Sequence, residues 1–134
     1  MNKAIYIVPK KTLLAYVTIN NISKPVEDQT VWIIDKIENG YIFGTSYTTL
    51  DNVPSTKIKF IGSIASNGSV MINFNGIIGQ GTYNICKNKF IMQMTSNVLS
   101  HWSYMIYIDE NSKYFKKLPG IKISVPKFIE LFDE

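Results

Sequence analysis

A chain of 134 residues with 46% apolar and 18% charged side chains is long enough to bury a core and too apolar to stay disordered. Its formal charge of +4 is mild, and a lone cysteine, Cys86, cannot close an internal disulfide, so neither a strongly basic polyanion binder nor a disulfide scaffold is indicated. One domain over residues 1–134 follows. With one histidine, one cysteine and no carboxylates at ligand spacing, no metal site and no cofactor are expected.

The chain opens on "MNKAIYIVPKK", whose apolar run is shorter than the hydrophobic region of a secretory signal. No later apolar stretch approaches a membrane span. The expectation is a soluble protein, cytoplasmic or exported without a visible signal peptide. Residues 4–8 read as a short edge piece, and "TLLAYVTI" (12–19) as a strand that helical periodicity also allows. Strands are then expected near 30–38, 41–50, 57–66, 69–75, 78–86, 89–96 and 100–108. Asn39-Gly40, Asn67-Gly68 and Asn75-Gly76 punctuate them, since an Asn-Gly pair accepts the positive φ angles of a type I′ hairpin turn. Lys87-Asn88 reads as a weaker turn of the same kind.

Hairpin-linked strands are antiparallel neighbours, and about eight can close into an up-and-down β-barrel without free edges. Glycines 44, 62, 79 and 81 fall inside strands, where barrel walls need bends. A two-sheet sandwich fits the same rhythm. At the end, Ser124, Pro126 and the apolar Phe128, Ile129, Leu131 and Phe132 predict a capped helix over 125–132. The expected fold is therefore all-β, an antiparallel barrel with a short C-terminal helix.

Alternation divides each strand into two sets. Phe90/Met92/Met94 oppose Ile91/Gln93/Thr95, and Trp102/Tyr104/Ile106/Ile108 oppose His101/Ser103/Met105/Tyr107. Neither set carries long charged residues. One face fills the interior; the other must be covered by the tail helix, by a second subunit, or left as an apolar patch. That predicts a homo-oligomer. Polar groups in mid-strand need partners when buried, and barrels of this size can hold one small ligand oriented by a few such groups among aromatics. The ligand-binding candidates are Tyr47, Thr49, Gln93, His101, Trp102 and Tyr104, with His101 and Trp102 beginning a strand near one mouth beyond a turn at Asn97 to Ser100.

Catalytic signals are weak. His101 has no carboxylate placed to orient it, "GQG" (79–81) lacks the helix and lysine of a phosphate loop, Cys86 reads as a small hydrophobe, and Met92, Met94 and Met105 as packing residues. No catalytic residue is assigned. Lysines avoid the aromatic strands of 89–108 and gather in loops, so no nucleic-acid partner is expected.

The run "ENGYIFGTSYTTL", followed by hairpins and "GIIGQGTYNICKNKFIMQMTS", resembles the avidin branch of the calycin-type barrels, lipocalins among them, over roughly residues 30–108. The likeness lies in a G-x-x-x-G-x-Y-like second strand and a G-Q-x-x strand that leads on into aromatics. It implies an eight-stranded barrel that binds a small molecule at one open end, often as an oligomer. Tyr47 and Thr49 match polar second-strand positions of that family, and Trp102 stands where a pocket tryptophan would. The first strand lacks the family's G-x-W opening and no tryptophan lies near Phe74, so biotin is not implied. "GQGTYNICKNKF" also resembles dirigent-like and allene oxide cyclase-like isomerase barrels. The function expected is binding of a small apolar or aromatic molecule without catalysis. The alternatives are a protein-interaction module using an apolar outer face and an isomerase or lyase using His101.

Overall fold

The computed structural model describes residues 12–19, 26–49, 56–84, 86–95, 100–118 and 123–133. The chain is mostly antiparallel β, with one short helix. Its strands are β1 (Thr12–Ile19), β2 (Val26–Glu38), β3 (Tyr41–Thr49), β4 (Thr56–Ile64), β5 (Ser69–Phe74), β6 (Ile77–Asn84), β7 (Lys89–Thr95) and β8 (Ser100–Ile108). Each pairs antiparallel with the next, and β8 also pairs with β1, so the sheet curls round on itself. The ambiguous stretch 12–19 is a strand. The expected piece at 4–8 and the turn residues 97–99 lie outside the described residues.

Turn chemistry explains the hairpins, with two corrections to the sequence reading. Asn39-Gly40 and Asn75-Gly76 both have positive φ at both positions, as a type I′ turn requires. At Asn67-Gly68 only the glycine is left-handed. There the Ala65 N–H donates to Ser69 O (2.8 Å), Gly68 N–H donates to Ala65 O (2.9 Å), and Asn67 Oδ1 accepts from Ser69 N–H. The result is a longer loop closed by a left-handed glycine, the commonest alternative to the two-residue turn. Lys87-Asn88 is likewise not a type I′ pair. Only Asn88 is left-handed, and Asn84 Oδ1 accepts from the N–H groups of Cys86 and Lys87, an Asx-type closure. Cys86 is exposed in that loop, so it is not a packing residue.

Register decides which alternate set faces inward. Trp32, Ile34, Ile42, Phe60, Val70, Ile72, Phe74, Tyr83, Phe90, Met92 and Met105 form the main buried cluster, and they occupy one continuous inner face through the β2 to β8 registers. Phe60, Phe74 and Phe90 surround Trp32 at ring-centre distances of 5.1, 5.7 and 5.8 Å, within the range where tilted aromatic pairs attract. Glycine makes room for these side chains. A methyl on Gly44 would meet the Phe60 ring at 2.6 Å and Ile33 O at 2.7 Å, and one on Gly81 would overlap the Ile91 carbonyl.

The outer face of β2 and β8 is covered by the C-terminal segment. A 3₁₀ turn (Phe115–Lys117) leads towards helix α1 (Val125–Phe132). Ser124 caps α1 by accepting from Lys127 N–H at 3.3 Å, and proline occupies the first turn, as expected. Eight residues are too few for a stable isolated helix; packing holds this one. Phe128 is buried against Val31, Ile106 and Ile108, with Leu131, Phe132 and Tyr114 around them. Lys89 Nζ lies 4.4 Å from the centre of the Phe132 ring, a cation–π contact. No described helix is long and apolar enough to cross a membrane.

Two glycines should respond differently to the same methyl. Gly81→Ala forces the β7 backbone away and is expected to cost about 3 kcal/mol or more. Gly76→Ala meets nothing within 4 Å and should cost about 1 kcal/mol, from its left-handed φ alone. Urea denaturation of both variants checks the order.

Candidate functional site

The strands place the six candidate ligand residues in three neighbourhoods. Tyr47 pairs with Val31, and Thr49 with Gln29, on the outer face of β3 and β2. Gln93 pairs with Trp102, and Tyr104 with Ile91, in the outer-face register of β7 and β8. His101 alone has an inner-face register, opposite Met94. Tyr47 and Thr49 are therefore separated from Gln93, Trp102 and Tyr104 by β2 and β1. Tyr104 packs under the helix, edge-on to Phe132 at 5.7 Å. Gln93 borders an outer groove of about 560 Å³ with Ser63, Met71, Gln80, Thr82 and Ile91.

The inner face has an uneven distribution of polarity that alternation alone does not reveal. At the end of the sheet where β2, β4, β6 and β8 begin, hydroxyls line one side. Ser46 and Ser103 are buried, Thr30 and Thr48 are half-buried, and Thr30 Oγ1 lies 3.1 Å from Thr48 Oγ1. Ser46 is opposite Trp32, and Ser103 is opposite Met92, so all four belong to the inner rows. The His101 backbone position lies in the same inner row as Ser103, two residues nearer the strand start. Across from them, the same end presents Ile58, Phe74, Ile77 and Met94. The Trp32, Phe60 and Phe74 rings form the floor beneath. No charged side chain occurs among the described inner-row residues.

At the opposite end the β6–β7 hairpin is tied together. Tyr83 packs on Phe90 at 4.4 Å between ring centres, and its hydroxyl donates to Asn88 Oδ1 at 2.7 Å. The Asn88 carbonyl accepts in turn from Tyr107 N–H at 3.0 Å. Burial, and then the nearness of Tyr107, push the Tyr83 phenol above its ordinary pKa, because a phenolate there would lose hydration without gaining a partner. The inner face thus has one end stapled by a tyrosine–asparagine bond and another edged with hydroxyls.

The sequence shows polar groups in mid-strand but does not reveal the grouping of Thr30, Ser46, Thr48 and Ser103. The signal was present as hydroxyls at matching parity near the starts of β2 and β8 and the end of β3. It becomes legible only once the register aligns those strands. Gln29 was also missed. It is buried, and its Oε1 accepts from Ile123 N–H at 3.0 Å, tying the outer face of β2 to the segment that leads into α1. Among the described residues, no three His, Cys, Asp or Glu side chains come together as metal ligands, and no buried side-chain polar atom lacks a partner. Comparison of the chain with protein-family models, with curated proteins and with solved structures finds no match.

The stapled end predicts a pH effect. The folded Tyr83 pKa is raised, so its contribution is fully present below the ordinary tyrosine pKa of about 10 and is lost as pH rises through the folded value. Stability of the wild type should therefore fall more steeply than that of Tyr83→Phe above about pH 10. At neutral pH the variant should be about 1 kcal/mol less stable, for the lost bond to Asn88. Urea titrations across that pH range measure both differences.

Proposed function

We propose that this chain is a closed, eight-stranded, calycin-like barrel that binds a small, uncharged, amphipathic molecule at its hydroxyl-edged end and performs no chemistry on it. The observation that carries the reading is the segregation just described: Thr30, Ser46, Thr48 and Ser103 on one side of the inner mouth, Ile58, Phe74 and Met94 on the other, with Trp32 below. Such a mouth accepts a ligand with one polar edge and one apolar face. Burying an ionised group beside it would leave that charge unpaired among the described inner residues, which is costly. His101 joins this site through its register position. Tyr47, Thr49, Gln93, Trp102 and Tyr104, on the outer-face rows, enter only as residues of the outer surface.

A second observation favours self-association. Ile61, Met71, Ile78 and Ile91 are 36–52% exposed on the outer face of β4 to β7, which α1 does not cover. The residues between them, Ser63, Asn73, Gln80, Thr82 and Gln93, are polar but uncharged. Two copies with net charge +4 repel each other except where they can meet through such a neutral surface. We infer that a second copy packs there, burying the apolar patch.

Native mass spectrometry after incubation with a metabolite extract tests the ligand reading. Retention of a small neutral mass is expected. Thr30→Val and Thr48→Val, near-isosteric and lacking the hydroxyl, should weaken retention by about three- to tenfold each while holding the melting temperature within a few degrees. If nothing is retained by the wild type, the ligand reading fails. Light scattering tests the second copy: a dimer is expected for the wild type, and a 15.3 kDa monomer for Met71→Lys with Ile91→Lys.

A further inference from the structure

The lysines of β2 and β4 lie beside the rings of β3, of which Tyr41 is exposed and Phe43 and Tyr47 half-buried, an arrangement unlike that of residues 89–108. In register, Tyr47 is opposite Lys57, Thr45 opposite Lys59, and Phe43 opposite both Ile61 and Lys36. Lys57 Nζ is 5.8 Å from the centre of the Tyr47 ring, and Lys36 Nζ is 4.9 Å from the centre of the Phe43 ring. Tyr41 continues the row of rings and is 53% exposed. Thr45 is buried between Phe43 and Tyr47, so the rings stand above a low point. A groove of about 670 Å³ adjoins them, lined by Lys36, Phe43, Lys59, Ile61, Asn73 and Asn75.

Charge along this stripe is graded. Lys57 and Lys59 are exposed and make no ion pair among the described residues. Lys36 pairs with Glu38 at 3.5 Å, and Asp35 borders the groove, so acidic groups mark the lower end of the stripe. At the upper end the charged side chains among the described residues are the lysines. Residues two apart on a strand are about 7 Å apart, so Tyr41 and Phe43 are neighbouring ring positions along β3, and Tyr47 stands about 14 Å beyond Phe43, across Thr45, with the β4 lysines flanking this upper part.

We propose that the outer face of β3 and β4 binds single-stranded nucleic acid, its bases stacked on Phe43 and Tyr47 and its phosphates held by Lys57 and Lys59. Cationic side chains tracking a backbone beside aromatic platforms are the chemistry of sequence-tolerant single-strand binding. Lys36 and Lys57, resting over the ring faces in the free protein, move aside to phosphates when bases take those faces. A duplex keeps its bases stacked on one another and cannot use the rings. The site is separate from the inner mouth and does not depend on a ligand there.

Fluorescence anisotropy with a labelled oligothymidylate of about fifteen nucleotides provides the test, at low salt and over a salt series. Binding is expected, stronger than to a duplex of equal length. Phe43→Leu and Tyr47→Leu, which keep apolar bulk, should each weaken it about tenfold. Lys57→Gln with Lys59→Gln should reduce the slope of log affinity against log salt by about 0.7 per lysine. Circular dichroism melts confirm that each variant is folded, and the lysine pair, fully on the surface, tests the proposal even where a ring variant melts. Absence of binding by the wild type at low salt overturns the proposal. So does binding indifferent to the ring substitutions and matched by heparin, which would reduce the stripe to a general polyanion surface.

Discussion

Filling the inside of the curled sheet with large rings is the constraint on which the other features depend. Trp32, Phe60, Phe74 and Phe90 meet near its middle, and Phe60 has room there because the facing row carries no side chain at Gly44. Side chains of this size exclude water and attract one another through tilted contacts. They also divide the inner space. At one end Tyr83 bonds Asn88 within the β6–β7 hairpin, while the hydroxyl residues sit beyond the rings at the other. A chain with alanine at Gly44 would press a methyl into the Phe60 ring and the Ile33 carbonyl, displacing the floor on which the hydroxyl end rests.

The outer face follows a different rule, because three stretches of it meet different surroundings. Over β2 and β8 the C-terminal segment provides an apolar cover, anchored by Phe128 and by the Gln29–Ile123 bond. Over β5 to β7, together with Ile61 of β4, the outer face bears four exposed large hydrophobic residues with uncharged polar residues between them. Over β3 and β4 it sets half-buried rings beside lysines. One curled sheet therefore offers three surfaces of distinct chemistry, and the short helix sets the limit of the first. Because α1 is too short to persist alone, its place depends on the side chains beneath it, Val31, Ile106 and Ile108.

Much of the fold was legible in the sequence because local chemistry and global pattern agreed. Asn39-Gly40 and Asn75-Gly76 require left-handed residues and found them; Ser124 and Pro126 started the helix where capping chemistry places it. The turns at Asn67-Gly68 and Lys87-Asn88 were misread because side-chain amides, Asn67 Oδ1 and Asn84 Oδ1, close those loops instead. A dipeptide does not reveal which carbonyl or amide completes the turn. For the site, the sequence found polar groups in mid-strand but grouped them by nearness in the chain. Gln93, His101, Trp102 and Tyr104 are close in sequence, yet register sends His101 to the opposite face from the others.

What the sequence by itself determined is the list of strands, the parity of each and the helix, since these rest on interactions within a few residues of one another. Only the tertiary structure decided which parity faces inward, that Thr30, Ser46, Thr48 and Ser103 share one end, and that Lys57 and Lys59 stand beside Tyr47 and Thr45. The reason is geometric. A side-chain period of two fixes faces only relative to the strand itself, and one residue of slip exchanges them all. The absolute assignment comes from the packing of Trp32 against Phe60, Phe74 and Phe90, rings contributed by strands far apart in the chain.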